Sequence, residues 1–591
     1  MDLHAALHQH FGFAGFRPGQ QAAVEAAVAG RDVLVVMPTG AGKSLCYQLP
    51  ALVRDDLTIV VSPLVSLMQD QVEALERRAP GRAALVNAQQ DFATNNEVLA
   101  RARAGALKLL YVAPERFSSP GFLEAIREVP IGLFVVDEAH CVSQWGHDFR
   151  PDYFRLADAA RWLGAKALVA STATATPQVA RDVVDRLGLR DAVRVTTGFD
   201  RPNLSFAVVP CATTADKQAR LAAALAEPEA RPAIVYAGTR KAAERTAGDL
   251  ARKLGIEVLA YHAGLARGER AEAQRRFMAG DVDVVVATNA FGMGVDKADV
   301  RTVAHEVVPP SVEAYYQEAG RAGRDGVPAR ALLFAEPRDK GLHVFFIERS
   351  EVPEGMLELV AERLLFAGSD GRFDVAVADL GDEPEQVRAV IGHLARAGVV
   401  QPAPSPIDRV RGRITGAFDG AARSIARTSA AEGQKARWRQ YRAVWAFVEG
   451  TGCRRAAILQ HFGDPAAPAP AVACCDVCAP ELVPAPPERS PAAGGGASHG
   501  SLEEAILAVV RGARPSIGRT RVADVLRGGK AKVVLRNSWD GLPEYGTYAH
   551  LAARTVLAKV DAMLESGRLQ STGGPYPVLR EGAGQQPLAA A

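Results

Sequence analysis

The chain has 591 residues, of which 48% are hydrophobic and 23% are charged, a composition typical of a globular protein with about four domains of about 150 residues each. Its formal net charge of +2 excludes a uniformly basic protein, so any nucleic-acid-binding surface has to be local. The sequence shows neither an apolar run long enough to span a membrane nor a signal peptide, and its arginine and alanine bias indicates GC-rich bacterial coding. We therefore expect a bacterial cytoplasmic protein without a membrane partner.

A glycine-rich turn follows the first predicted strand, DVLVVM, which ends at Met37. The residues of this turn that we expect to hold a nucleotide are Thr39, Gly40, Gly42, Lys43 and Ser44. Backbone N–H groups in such a turn face phosphate oxygens, while the lysine offsets the β/γ-phosphate charge and the serine hydroxyl reaches Mg²⁺. Met37 stands where the usual pattern has its first glycine.

An acidic pair follows a second apolar strand, residues 131–136. Asp137 can hold the metal from the side opposite to Ser44, and Glu138 is placed to orient the attacking water. The turn and the acidic pair together predict hydrolysis of a nucleoside triphosphate.

An aromatic loop comes next along the chain and contains Trp145, His147, Phe149 and Arg150. An aromatic ring stacks on a base of any sequence, and an arginine adds charge and a cation–π contact. Because the loop follows Asp137 by a few residues, we expect it to couple nucleic-acid binding to hydrolysis. The alternative for Phe149 is a buried core position.

Short apolar strands alternate with helix-length segments in two successive regions. The strands are DVLVVM, LTIVVS, LKLLYV, IGLFVV and KALVAS, and then AIVYAG, EVLAYHAG, VDVVVAT, RTVAH and RALLF. This alternation predicts two tandem doubly wound, parallel-sheet α/β domains, which bind ligands at the carboxyl ends of their strands. Near the end of the second region, Arg321 and Arg324 are placed to act across a cleft on the γ-phosphate.

These blocks resemble, in order, those of superfamily 2 helicases and, within them, the RecQ helicases. The residues that carry the resemblance are FGFAGFRPGQ from position 11, DEAH from 137, SQWGHDFRPDY from 143, FDRPN from 199, ATNAFGMGVDK from 287 and YYQEAGRAGRDG from 315. The aromatic loop discriminates most, because general DEAD/DEAH proteins lack it. The resemblance is dense over residues 5–340 and weaker beyond them.

The resemblance implies RecA-like domains at residues 1–205 and 206–345 that bind ATP and Mg²⁺ and act on DNA in the 3′→5′ direction. It implies that Gln20 bonds the adenine edge, that Arg17 lies against the adenine ring, and that Phe13 belongs to the same segment.

The resemblance also places His140 in the catalytic set and Asp296 at the nucleotide site. The chain is expected to lack the C-terminal helical HRDC domain that many family members carry.

Residues 350–430 follow a different pattern. A helix is predicted by the spacing of Val387, Val390, Ile391 and Leu394, and RVRGRI is expected to be a returning wing strand. This pattern is typical of a winged helix, inserted where the commonest RecQ layout has none. A plain helical spacer is the alternative.

Four cysteines cluster in the region 431–480, namely Cys453, Cys474, Cys475 and Cys478. Four thiolates form a closed, tetrahedral zinc site of the structural kind. The family usually separates its last three cysteines by two residues, whereas Cys474 directly precedes Cys475. His461 therefore remains an alternative fourth ligand.

A Pro/Ala/Gly-rich segment, residues 481–500, predicts a flexible linker. A small domain follows at residues 501–582 and resembles a divergent RQC winged helix, with an amphipathic helix ended by Gly567 and a wing strand at YPVLR. Basic residues between Arg519 and Arg536 predict phosphate contacts with duplex DNA.

We therefore expect an ATP-dependent 3′→5′ DNA helicase of repair and recombination. It would be a nucleoid-associated monomer that binds single-stranded and duplex DNA, with a single-strand-binding protein as a candidate partner. The alternatives are a translocase that does not separate strands and a DNA-binding protein switched by ATP. The arginine pair argues against a pure binding protein, because it has no role without hydrolysis.

Overall fold

The computed structural model describes residues 2–87, 90–143, 153, 155–291, 297–368, 370–403, 405, 408–485, 501–529, 531–537, 539–573 and 577–582. The chain divides into two compact units, Met1–Glu488 and Arg489–Ala591. In the described part of the chain, no helix is both long and apolar enough to cross a membrane.

The first lobe of the larger unit is a doubly wound α/β domain. Its strands are β1 Val33–Val36, β2 Leu57–Val61, β3 Ala83–Val86, β4 Leu109–Val112, β5 Ile131–Asp137, β6 Ala167–Thr172 and β7 Val193–Thr196. Its helices are α1 Leu3–Phe11, α2 Gln20–Val28, α3 Leu45–Val53, α4 Val65–Glu76, α5 Phe92–Arg103, α6 Pro120–Ile126, α7 Leu156–Trp162 and α8 Pro177–Leu187. The strands are parallel in the order β3-β4-β2-β5-β6-β1-β7, so the carboxyl ends of β1 and β5 lie at one edge with only β6 between them.

The second lobe repeats this architecture. Its strands are β8 Leu204–Pro210, β9 Ala233–Tyr236, β10 Val258–Tyr261, β11 Val284–Ala287, β12 Thr302–His305 and β13 Ala329–Ala335. Its helices are α9 Thr214–Ala224, α10 Arg240–Leu254, α11 Arg267–Ala279, α12 Val312–Ala319 and α13 Asp339–Arg349. The strands are parallel in the order β10-β11-β9-β12-β13-β8. The predicted α/β class with two parallel sheets is confirmed, and β8 begins slightly before the predicted start of the second domain.

A smaller module follows the second lobe. Its elements are α14 Met356–Ala367, β14 Arg372–Ala376, α15 Pro384–Arg396, β15 Val400–Ala403, β16 Arg409–Ile414 and the 30-residue helix α16 Gly420–Glu449. The strands form an antiparallel sheet in the order β14-β16-β15. The predicted helix around Val390 and the predicted strand RVRGRI correspond to α15 and β16. The face of α15 that carries His393 packs against α16, where His393 Nδ1 lies 2.9 Å from Ser429 Oγ.

The cysteine-containing segment closes the larger unit. Helix α17 Arg454–His461 precedes a turn that carries Cys474, Cys475 and Cys478. This turn pairs with the edge strand β8, because the Phe206 N–H donates to Cys474 O at 3.2 Å and the Asp476 N–H donates to Phe206 O at 3.1 Å. The segment therefore covers the edge of the second sheet that would otherwise be left open.

The smaller unit has its own hydrophobic core. Its elements are α18 Leu502–Gly512, α19 Arg519–Leu526, α20 Lys532–Arg536, α21 Ala553–Glu565, β17 Leu569–Ser571 and β18 Leu579–Glu581, and the two strands pair antiparallel. The predicted amphipathic helix is α21, which ends at Glu565, shortly before Gly567, whose φ of 74° suits glycine.

Candidate active site between the two lobes

The turn between β1 and α3 has the backbone of a phosphate-binding loop. Gly40 and Gly42 have φ angles of 85° and 83°, and a Cβ on Gly42 would lie 2.5 Å from Gln20 Nε2. Ser44 directly precedes α3 as its N-cap residue, so N–H groups at the start of this helix face the space where a phosphate would bind. Lys43 Nζ donates a hydrogen bond to Met37 O at 3.2 Å and so lies across the loop.

The segment that leads into α2, together with Gln20 at the start of that helix, is hydrogen-bonded to this loop. The Gln20 amide donates to Ala41 O and Gly42 O, both at 3.1 Å, while its oxygen accepts from the Arg17 N–H at 2.8 Å. The Arg17 guanidinium donates to Gly40 O at 2.7 Å. Phe13, which is 46% exposed, lies in the same segment. The structure thus brings the residues of the predicted adenine-reading segment to the phosphate loop.

The acidic pair lies at the carboxyl end of β5. Asp137 is buried, and burial together with the neighbouring Glu138 carboxylate raises the pKa of Asp137 to about 7, against the opposing charge of Lys43. Glu138 has φ 49° and ψ 46°, a left-handed conformation that costs a non-glycine residue about 1–2 kcal/mol. The sharp turn at Glu138 allows His140 to fold back, with Nδ1 3.0 Å from Thr172 Oγ1 and 3.3 Å from Glu138 Oε2. The site therefore connects the end of β5 to the end of β6.

The arginine turn follows α12 in the second lobe. Arg321 is 5% exposed, and Arg324 lies beside the phosphate loop, since a Cβ on Gly40 would be 3.5 Å from Arg324 Cγ. Burial lowers the pKa of Lys43, and the nearby Arg324 adds to that effect. The structure thus brings Arg324 of the second lobe to the phosphate loop of the first lobe, in the cleft between them.

Arg201 is a residue of this cleft that sequence reasoning missed. Its guanidinium donates to Thr39 O and Gly320 O at 3.1 Å each, and to Ala322 O and Gly323 O at 3.0 and 3.1 Å. One side chain thereby contacts the phosphate loop of the first lobe and the arginine turn of the second. The only signal in the sequence was its place in FDRPN.

The four clustered cysteines have the geometry of a zinc site. Their Sγ atoms lie within 4.8 Å of one another, with separations of 3.6 Å for Cys453–Cys474, 3.9 Å for Cys453–Cys475 and 3.5 Å for Cys475–Cys478. Sulfurs at about 2.3 Å from a tetrahedral zinc are about 3.8 Å apart, so this set fits the ion. His461 instead directs Nε2 to Glu313 Oε1 of α12, at 2.9 Å.

Five predicted site residues lie outside the described residues, namely Trp145, His147, Phe149, Arg150 and Asp296. In the smaller unit, two of the predicted phosphate-contacting arginines have acidic partners, since Arg519 pairs with Asp561 and Arg521 pairs with Asp524. The positive charge of that surface is therefore partly neutralised.

Four family models match the chain in succession. They are DEAD/DEAH box helicase at residues 17–183, helicase conserved C-terminal domain at 216–326, RecQ zinc-binding at 409–479 and RQC domain at 502–589.

Several curated proteins are similar to the chain. A probable ATP-dependent DNA helicase RecS of Bacillus subtilis (strain 168) is 44% identical over 350 residues, which cover 59% of this chain and 70% of RecS. The ATP-dependent DNA helicases RecQ of Pasteurella multocida (strain Pm70) and of B. subtilis are 42% and 43% identical over 353 and 357 residues. These matches cover 60% of this chain and 55% and 60% of the two RecQ proteins, so the chain spans less than two thirds of their length.

Proposed function

The chain belongs to the RecQ family of ATP-dependent DNA helicases, and we propose from this premise that it hydrolyses ATP to move 3′→5′ along single-stranded DNA and so unwinds duplexes. The observation that carries the proposal is the shared cleft, in which Arg324 of the second lobe lies against Gly40 of the first. Groups that act on the γ-phosphate from one lobe while the other lobe holds the nucleotide are typical of a hydrolysing motor.

In this proposal, the first lobe binds and orients the nucleotide. The loop from Thr39 to Ser44 holds the phosphates through backbone N–H groups, and Lys43 exchanges its bond to Met37 O for the β/γ-phosphate oxygens. Gln20, Arg17 and Phe13 contact the base. Gln20 also bonds two carbonyls of the phosphate loop, so it links binding of the base to the conformation of that loop.

The hydrolytic step requires a positioned water and stabilisation of developing charge. Glu138 orients the water, and the contact of its carboxylate with His140 links that water to Thr172 at the end of β6. Arg321 and Arg324 offset the charge of the transferred phosphoryl group. Asp296 would complete the nucleotide site.

Ser44 and Asp137 would hold Mg²⁺, which supplies charge neutralisation at the phosphates. Oxygen donors suit this ion, and a buried carboxylate whose pKa is raised to about 7 is one that a neighbouring cation returns to its charged form. Cys453, Cys474, Cys475 and Cys478 would hold a structural Zn²⁺, because their four sulfurs fit a tetrahedron.

We further propose the DNA contacts. Trp145, His147, Phe149 and Arg150 would bind the single strand, and the smaller unit, as an RQC winged helix, would hold the duplex. The protein would act as a monomer in the bacterial nucleoid, in repair and recombination, with a single-strand-binding protein as a partner.

A strand-displacement assay tests the proposal directly. The protein should displace the short strand of a 3′-tailed DNA duplex with ATP, should leave a 5′-tailed duplex intact, and should hydrolyse ATP faster with single-stranded DNA than with RNA. ATPase stimulation without displacement would instead support a translocase. ATP-dependent DNA affinity without turnover would support an ATP-switched binding protein.

A further inference from the structure

The segment that joins the two lobes contacts both the nucleotide cleft and the cysteine module, by which we mean residues 453–479. We call residues 197–203 the interlobe linker, because they run from the end of β7 to the start of β8. A peptide that only connects two domains needs few side-chain contacts, whereas this linker is bonded on both sides. Its contacts therefore suggest a mechanical role.

On the cleft side, the linker holds the arginine turn through two side chains. The planar Arg201 guanidinium bonds four carbonyls, three of which belong to the turn Gly320–Gly323 and one to Thr39 of the phosphate loop. Asn203 Nδ2 donates to Gly323 O at 2.8 Å and to Val327 O at 2.9 Å. The turn that carries Arg321 is thus tied to the linker and, through Arg201, to the loop that binds phosphate.

On the other side, the cysteine module holds the backbone of the same linker. Arg455, which is 1% exposed, bonds the Asp200 carboxylate and the carbonyls of Arg201 and Leu204, with 2.8 Å to Arg201 O. The Phe199 N–H donates to Asp464 Oδ2 at 2.7 Å.

Packing adds to these polar contacts. The ring of Phe199 stacks on Phe462 at 4.3 Å, and the Tyr316 hydroxyl of α12 donates to Phe199 O at 2.8 Å. The module therefore fixes the backbone from which the Arg201 side chain extends.

We propose that the cysteine module positions Arg201, and that Arg201 in turn holds the two lobes in the relative position that catalysis requires. Arg455 and Arg201 are positioning residues, since neither reaches the reacting atoms in this arrangement. The proposal rests on the proposed ATPase function and adds to it a route from the metal-binding module to the arginines of the cleft.

The proposal predicts that loss of these contacts lowers the turnover of ATP but not the affinity for ATP. The first lobe carries the phosphate loop, so displacing the second lobe should leave the affinity for ATP nearly unchanged. The same displacement withdraws Arg321 and Arg324 from the γ-phosphate and should lower kcat on the order of 10-fold to 100-fold. A residue that only stabilises the fold would lower the melting temperature without this selective loss of turnover.

The test compares Arg201→Lys and Arg455→Lys with Arg276→Lys in the full-length protein. Lysine keeps the charge but cannot bond four carbonyls from a planar fork. Arg276 is a matched control, because it pairs with Glu257 next to β10, the edge strand opposite β8. The measurements are kcat and KM for ATP with single-stranded DNA, the Kd of a fluorescent non-hydrolysable ATP analogue, the melting temperature and the zinc content.

We expect Arg201→Lys and Arg455→Lys to lose kcat while the Kd of the ATP analogue stays within about threefold of wild type, with zinc content unchanged and Arg276→Lys unaffected. The double variant should be no slower than Arg201→Lys alone, because the two residues act in series. If the Arg455 variant is poorly folded, Asp464→Ala provides the same test from a partly exposed position.

Two outcomes would overturn the inference. One is a wild-type kcat in Arg201→Lys, and the other is additive losses in the double variant, which would mean that the two arginines act independently. Failure of the proposed function is distinguishable from both, because the wild-type protein itself would then show no DNA-stimulated ATPase.

Discussion

Replacing Cys474 by serine tests which residue completes the metal site. Cys474 Sγ lies 3.6 Å from Cys453 Sγ, close to the separation of about 3.8 Å expected for two thiolates on one tetrahedral zinc. The competing ligand, His461, points to Glu313 at 2.9 Å and would have to break that contact to reach the metal. The geometry therefore favours four sulfurs.

The expected effect of the substitution follows from the free energy with which the whole site binds zinc. Structural zinc sites bind with about 10–16 kcal/mol, so one of four ligands accounts for about 3 kcal/mol, or roughly 100-fold in affinity. Cys474→Ser should weaken zinc binding by about that factor, as measured by competition with a chromophoric chelator. It should also lower the melting temperature, because the module that covers β8 loses its cross-link.

His461→Ala is the matched control. It should keep one zinc at wild-type affinity and lose only the contact with Glu313. The reverse result, with full zinc affinity in Cys474→Ser and metal loss in His461→Ala, would refute the four-sulfur assignment and would require α17 to rotate.

Three further predictions concern catalysis, DNA and pH. Lys43→Ala and Glu138→Gln should each lose more than about 100-fold in ATPase rate while retaining single-strand binding in a filter assay, and turnover within tenfold of wild type would contradict their roles. Truncation before Leu502 should keep DNA-stimulated ATPase but reduce forked-duplex affinity and flatten its salt dependence, whereas unchanged unwinding would place the duplex grip elsewhere. Burial, together with Arg437 and Arg396, lowers the pKa of His393 to about 4, so the folded state holds this group neutral. The unfolded chain then binds the extra proton between pH 6.5 and 4, and stability that is complete above pH 6.5 should fall by about 2 kcal/mol by pH 5 in denaturant melts, an effect that His393→Gln should remove.

The parts of the fold that the sequence predicted are those whose signal is local. Strand β5 is buried on both faces and reads as a continuous apolar run, and it ends directly in Asp137. Strand β7 at the sheet edge has alternating exposure and a charged Arg194, so it gave no such run and was missed. β8 was missed because it begins immediately after the FDRPN block, where a domain boundary was expected.

The proposed catalytic residues could be predicted for the same reason, and Arg201 could not. Lys43 and Glu138 lie within contiguous motifs whose chemistry is visible in a few residues. The role of Arg201 depends on carbonyls at Thr39 and Gly320 and on Arg455, which are brought together only when both lobes and the cysteine module have folded. Carbonyl acceptors leave no trace in a sequence, because every residue has one.

In the module between the second lobe and the cysteines, the packing of the helices could not be predicted from the sequence either. The periodicity predicted α15 and the strand β16, which in a DNA-reading winged helix would place a helix in the major groove. On α16, however, the small residues Ala426, Ser429 and Gly433 leave room for α15, and His393 packs over the last two of them. Glycine and serine in ARTSAAEGQ weaken a helix prediction, yet they are what allows the close approach of the two helices. This packing buries the face of α15 that carries His393, so contact of that face with a DNA groove would require α16 to move. The arginines of β16 remain partly exposed.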